Sequence, residues 1–192
     1  TYTDGNRIVL ASDYRLGGAE AASPAAAAGL ETGDRIVAVG DKTIVNFQDL
    51  LETVATAPGS DLTLAVQREG RTLELNVRPE LDRETGAGRI GVYAWRDPVV
   101  DRVSPGGAAA LAGLQDGDRI VSAAGQPTPH SIAFYQAIAD KASQVEVRYE
   151  RGGQTRGTTL VLDYGEEGAP RLGFTFKLSL IHISEPTRLR RI

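Results

Sequence analysis

Few side chains in this chain attack, protonate or ligate, and their spacing suits none of the common catalytic arrangements. His130 and His182 are the only histidines and cysteine is absent, which is too few nitrogen and sulfur ligands for a typical catalytic zinc site. No His-Glu-x-x-His segment places two imidazoles one helical turn apart. Serines and aspartates are present, but no serine lies in anything like a nucleophile elbow. The chain is therefore expected to be non-catalytic. The chemistry that remains is association: Arg89 and Arg171 each precede the glycine of a short strand and could attract a carboxylate through charge-assisted hydrogen bonds.

The composition fits a folded binding protein. Apolar residues make up 41% and charged residues 24% of the 192 residues, enough for a core and too little charge for wholesale disorder. With 22 glycines and only 6% aromatics, many tight turns between short elements are expected, which favours a β-rich architecture. A net charge of −4 gives no basic footprint for phosphates, so nucleic acid is not an expected partner. No apolar run approaches the length of a membrane helix, and Thr1–Arg7 lacks the basic-then-apolar layout of a signal peptide.

The elements that must position any site emerge from an internal repeat. Gly29-Leu30-Glu31-Thr32-Gly33-Asp34-Arg35-Ile36-Val37 returns as Gly113-Leu114-Gln115-Asp116-Gly117-Asp118-Arg119-Ile120-Val121, which predicts two small domains, residues 1–95 and 96–176. Upstream of each copy, Ser23-Pro24 and Ser104-Pro105 precede alanines. The serine supplies a cap and the proline a pre-set first helical residue, so each copy should begin with a short helix, stopped by Gly29 or Gly113. Gly33-Asp34 and Gly117-Asp118 then turn into strands with Ile36, Val37, Val39 and Ile120, Val121 as core candidates.

A second helix follows in each copy. Phe47, Leu50, Leu51 and Val54 recur at spacings of three and four, as do Phe134, Tyr135 and Ile138. Hairpins with alternating apolar residues come next, turning at Glu69-Gly70 and Gly152-Gly153, and short strands, Gly88–Val92 and Arg171–Phe174, close the copies.

This order of motifs, Ser-Pro-Ala-rich, Gly-Leu-x-x-Gly-Asp-Arg-Ile, helix, hairpin and closing strand, resembles the PDZ domain in its bacterial, circularly permuted form. The tandem, with Arg89-Ile90-Gly91-Val92 closing the first copy and Pro79-Glu80-Leu81 before it, resembles the PDZ region of bacterial site-2 proteases, the intramembrane zinc metalloproteases of envelope stress signalling. The resemblance implies a mainly β fold with short helices (α+β), each domain a small β-sandwich or partly closed barrel. It implies a periplasmic module on the extracytoplasmic side of the inner membrane. There it would act in cis on a membrane protease core and regulate substrate access by binding or size-gating. Zinc would belong to that core, and this chain would need no cofactor. Alternatives are the PDZ tandem of an HtrA-type serine protease, or a non-enzymatic periplasmic or secretion-system scaffold.

PDZ domains add an extended peptide as a strand to an open sheet edge beside a helix. The positions matching that groove here are Ile90, Gly91 and Val92 with Phe47, Leu51 and Val54, and Leu172, Gly173 and Phe174 with His130, Tyr135 and Ile138. His130 falls at the helix start, where many PDZ domains keep a ligand-contacting histidine. The second groove is expected to bind more strongly, because His130 and Tyr135 offer polar handles, and Gly173→Val is expected to abolish binding while leaving the fold intact. Arginine in place of the family's usual apolar loop start argues against capture of free C-termini. Residues 177–192 are net basic and read as an unstructured, foreign tail: Leu178 to Arg188 resembles translated sequencing-adapter read-through.

Overall fold

The structure, a computed structural model, describes residues 5–14, 22–139, 143–164 and 170–177; the tail expected over 177–192 lies outside them, apart from Lys177. Contacts divide the chain into two compact units that part between Trp95 and Arg96. Leu30 packs in the core of the first and Leu114 in the core of the second.

The first unit runs β1 (Ile8–Leu10), α1 (Pro24–Ala27), β2 (Arg35–Val39), β3 (Lys42–Thr43), α2 (Phe47–Ala55), β4 (Leu62–Arg68), β5 (Arg71–Val77), β6 (Glu80–Leu81), β7 (Gly88–Arg89) and β8 (Val92–Ala94). Its main sheet has the order β3-β2-β4-β5, and β1 pairs with β8 and β6 with β7. Ser23 Oγ accepts from the Ala26 amide at 3.3 Å with Pro24 in the first turn, so α1 starts as its sequence dictates. Asn46 caps α2: its side chain accepts from the Asp49 amide at 2.9 Å while Asp49 accepts from the Asn46 amide, a reciprocal box that fixes where the helix begins. Glu69 and Gly70 both take positive φ, the tight hairpin turn whose twist matches its strands.

The second unit repeats the plan with β9 (Val100–Val103), α3 (Ala108–Leu111), β10 (Arg119–Ala123), β11 (Gln126–Pro127), α4 (Ser131–Ile138), β12 (Gln144–Arg151), β13 (Gln154–Val161), β14 (Asp163–Tyr164), β15 (Pro170–Arg171) and β16 (Phe174–Phe176). Here the sheets are β11-β10-β12-β13, β16-β9 and β14-β15. The described residues are thus mostly strand with four short helices, and none of the sheets closes into a barrel.

Two local expectations are corrected. Val37 and Val121 are only partly buried, because a bulge after Ile36 and after Ile120 shifts the register and turns each following residue out of the core. Ser104 does not cap α3. The extra Gly106-Gly107 moves the helix start, Gly107 takes the cap position with no side-chain bond, and Ser104 instead closes a turn through its carbonyl. No helix among the described residues is long and apolar enough to cross a membrane.

Candidate functional site

The backbone of the closing strands defines the site. β8 pairs antiparallel with β1 in the register Leu10↔Val92, Val9↔Tyr93, Ile8↔Ala94. The Ala11 amide donates to Gly91 O and the Trp95 amide to Arg7 O, both at 2.9 Å, which makes Leu10↔Val92 and Ile8↔Ala94 the non-hydrogen-bonded pairs. Antiparallel geometry then points the N–H and C=O groups of Val92 and Ala94 away from β1. β8 has no second strand partner among the described residues. The second unit shows the same arrangement: Ser104 donates to Gly173 O and Lys177 to Val99 O, so Phe174 and Phe176 turn their main-chain groups away from β9.

The carbonyl one residue earlier is pinned to the short helix: the Ala25 amide donates to Ile90 O at 2.9 Å, and the Ala109 amide to Leu172 O at 3.0 Å. Gly91 and Gly173, at φ +82° and +70°, supply the left-handed step between this anchor and the strand. Gly173 also packs its backbone on Gly107, where an added Cβ would lie 3.0 Å from the Gly107 Cα. Gly173→Val therefore cannot leave the fold intact, contrary to the expectation from sequence.

The second helix flanks each closing strand. A Cβ on Gly88 would collide with the Val54 carbonyl, so β7, which leads into β8, lies directly on the end of α2. In the second unit the rings of Phe134 and Tyr135 on α4 meet that of Phe176 on β16 at centroid distances of 5.2 and 5.9 Å.

The sequence-predicted residues fall into three groups. Ile90, Val92, Val54 and Ile138 are wholly buried, and Leu172 and Phe174 nearly so; they form the floor and the core. Phe47, Leu51 and Tyr135 are half-buried at the core margin, and Tyr135 meets Phe176 of its closing strand. His130 is fully buried and is the N-cap of α4, its Nδ1 accepting from the Ala133 amide at 3.1 Å. It occupies the place of Asn46, not of Phe47. His130→Ala should cost the second unit at least about 1 kcal/mol through the lost cap, and His130→Asn should restore that part. The midpoint of urea unfolding reads this, and equal losses for both variants would show that the cap is not what His130 contributes.

In the first unit the charge around the loop is paired internally. Arg89 lies 3.7 Å from Asp82, whose carboxyl is held below its ordinary range mainly by the Glu84 and Thr85 amides, with Arg89 adding to them. Arg171 is exposed. Burial raises the Tyr135 phenol above its usual value, opposed by Arg96, so the ring stays neutral.

One feature was not read from the sequence. In each unit the aspartate of the Gly-Asp turn is almost wholly buried and gripped by a distant arginine. Asp34 is 1% exposed and meets Arg68 through two contacts of 2.7 Å, while Arg68 also donates to Gly29 O. Asp118, also 1% exposed, does the same with Arg151, which donates to Gly113 O. Each fork ties the turn to the end of the β4 or β12 hairpin arm. The signal available was an arginine just before both hairpin turns.

A PDZ domain model matches residues 17–68 and again 99–151, together more than half of the chain. The chain belongs to the PDZ domain family. Both matches fall where the repeat lies, one PDZ domain in each unit. Over 95% of its length the tandem is 31% identical to a Treponema pallidum protein named, by inference, as a zinc metalloprotease, and it spans 40% of that protein. It is 31% identical over 76% of its length to the regulator of sigma-E protease RseP of Escherichia coli, spanning 32% of it. With the periplasmic serine endoprotease DegP of the same species it shares 28% identity over 69% of its length and 31% of DegP. The PDZ tandem thus spans well under half of each of these relatives. The first two similarities carry the likeness to the PDZ region of site-2 proteases.

Proposed function

We propose that this PDZ tandem recognises extended polypeptide segments of substrates, or gates their access, for a membrane-embedded zinc metalloprotease of the site-2 type, on the extracytoplasmic side of the membrane. The observation that carries the binding half is the outer edge of β8 near α2, which no strand among the described residues pairs, with the main-chain groups of Val92 and Ala94 directed outward. An incoming strand satisfies those groups, and its side chains meet the apolar face of the helix. The protease half rests on the similarity to RseP and to the Treponema protein.

On this proposal zinc belongs to the catalytic part of the parent. Affinity should be modest, on the order of micromolar, because a short added strand buries little area and loses its own freedom on binding. The similarity to DegP favours a second reading, in which the tandem follows a soluble serine protease domain. The flanking reading frame separates them: His-Glu-x-x-His in an upstream apolar segment is the expected result. Gly-Asn-Ser-Gly-Gly would assign the DegP-like parent, and neither motif would leave a scaffold.

A further inference from the structure

The two closing strands correspond position for position from Gly91 and Gly173 onward, although β9 carries a bulge that β1 lacks, and the match shows one decisive difference. Trp95 and Lys177 donate the equivalent terminal bonds of the closing strands, to Arg7 O and Val99 O, so Ala94 of β8 occupies the place of Phe176 of β16. Counting from the caps Asn46 and His130, Leu50 corresponds to Phe134 and Leu51 to Tyr135.

In the second domain this corner holds four aromatic rings packed edge to face, those of Phe134, Tyr135, Phe174 and Phe176. Phe134 and Phe176 are buried, the latter 7% exposed, and Phe176 meets Phe134 at 5.2 Å and Tyr135 at 5.9 Å, each at 84°. Edge-to-face packing of this kind adds to the stability that burial alone gives. In the first domain the corresponding residues are Leu50, Leu51 and Ala94, and Ala94 is only partly buried. Of the residues expected to make the second groove the stronger, His130 is used inside the domain as a cap and the ring of Tyr135 stands against Phe176.

We infer that the grooves are not equivalent: in the second, the chain's own Phe176, clasped by Tyr135, fills the side-chain pocket, and the first is the one that takes a peptide. The ligand is an extended segment carrying one bulky apolar side chain, which enters beside Ala94 between β8 and α2, as Phe176 does in its own domain. This rests on the strand-addition reading above. Arg89 is already paired with Asp82, so the ligand need not end in a carboxylate.

The test titrates the whole chain with short synthetic peptides bearing Phe, Leu or Ala at a central position, each made with free and with amidated C-termini. Amide shifts in two-dimensional NMR locate binding and fluorescence anisotropy measures it. Shifts at Val92–Ala94 and not at Phe174–Phe176, with Phe or Leu favoured over Ala by about tenfold or more, are expected from the apolar surface involved. Ala94→Phe should weaken binding by a similar factor, and Tyr135→Leu combined with Phe176→Ala should create binding at the second domain. Because the double change opens a core, Ala94→Leu and the parent chain's shifts decide the matter if it does not fold. Shifts at the second domain in the parent chain, or undiminished binding by Ala94→Phe and Ala94→Leu, overturn the inference alone. No shift at either strand with any peptide overturns the strand-addition reading and the inference with it.

Discussion

Gly173→Val should unfold the second PDZ domain. The residue sits at φ +70°, a conformation that costs an L side chain roughly 1–2 kcal/mol and a β-branched one more. Its Cβ would stand 2.9 Å from the Ala108 nitrogen and 3.0 Å from the Gly107 carbonyl carbon and Cα. These are backbone atoms, and moving them breaks the Ser104–Gly173 and Ala109–Leu172 hydrogen bonds, so relief by side-chain rearrangement is closed off. Overpacking typically adds about 1–3 kcal/mol, and the sum approaches the stability of a small domain, about 5 kcal/mol at the low end. Thermal or urea unfolding of the whole chain should then show the transition of the second domain lost or far lower, with that of the first domain kept. An unchanged second transition would mean that the loop is slack, and the contact with Gly107 unimportant.

Asp118→Ala should destabilise the second domain by about 2–4 kcal/mol, and Asp34→Ala the first by a similar amount, because removing one partner of a buried pair strips the other of its compensation. The aspartates are 1% exposed while the arginines are about a quarter exposed. The stranded guanidinium can therefore reach water in part, which keeps the loss below that of a fully buried pair. The cost extends past the pair itself, since Asp34 accepts from the Glu31 amide and Asp118 from the Gln115 amide, and both turns lose their closure. Replacement by Asn keeps an acceptor and should cost less, about 1–2 kcal/mol. Urea midpoints of each domain read the order parent, Asn, Ala; an alanine variant within about 0.5 kcal/mol of the parent would rank these forks with ordinary surface pairs.

These two cases mark where the sequence was legible. The repeat, the Ser23 cap, the helix stops and the hairpin turns depend on neighbours within a few residues, and periodicity and turn chemistry expose them. The forks join residues 34 and 33 positions apart, so Asp34 and Asp118 looked like turn residues and their partners went unseen. The bulges after Ile36 and Ile120 were hidden for a related reason: a register shift is set by pairing with β4 and β12, not by local composition.

The site was legible as a set of segments and less so as individual roles. Phe47, Leu51 and Tyr135 stand half-buried at the core margin, whereas Val54 and Ile138, one turn on from Leu51 and Tyr135, are buried in the core. Histidine is an uncommon cap, so nothing in the sequence marked His130 as the counterpart of Asn46. Read at the helix start, it was assigned the role of a ligand contact. The contrast between Ala94 and Phe176 needed the register of both closing strands, which the unequal Ser-Pro-to-glycine spacing obscures.

Strand addition at β8 is tested most directly by amide hydrogen exchange of the whole chain, free and saturated with the tightest peptide from the titration. In the free chain Tyr93, bonded across to Val9, should be protected while its neighbours Val92 and Ala94 exchange quickly. With peptide bound, Val92 and Ala94 should slow by about a hundredfold or more as they gain partners. Bound peptide with both amides still exchanging at the free rate would contradict the account, because the ligand would then be held somewhere other than the edge of β8.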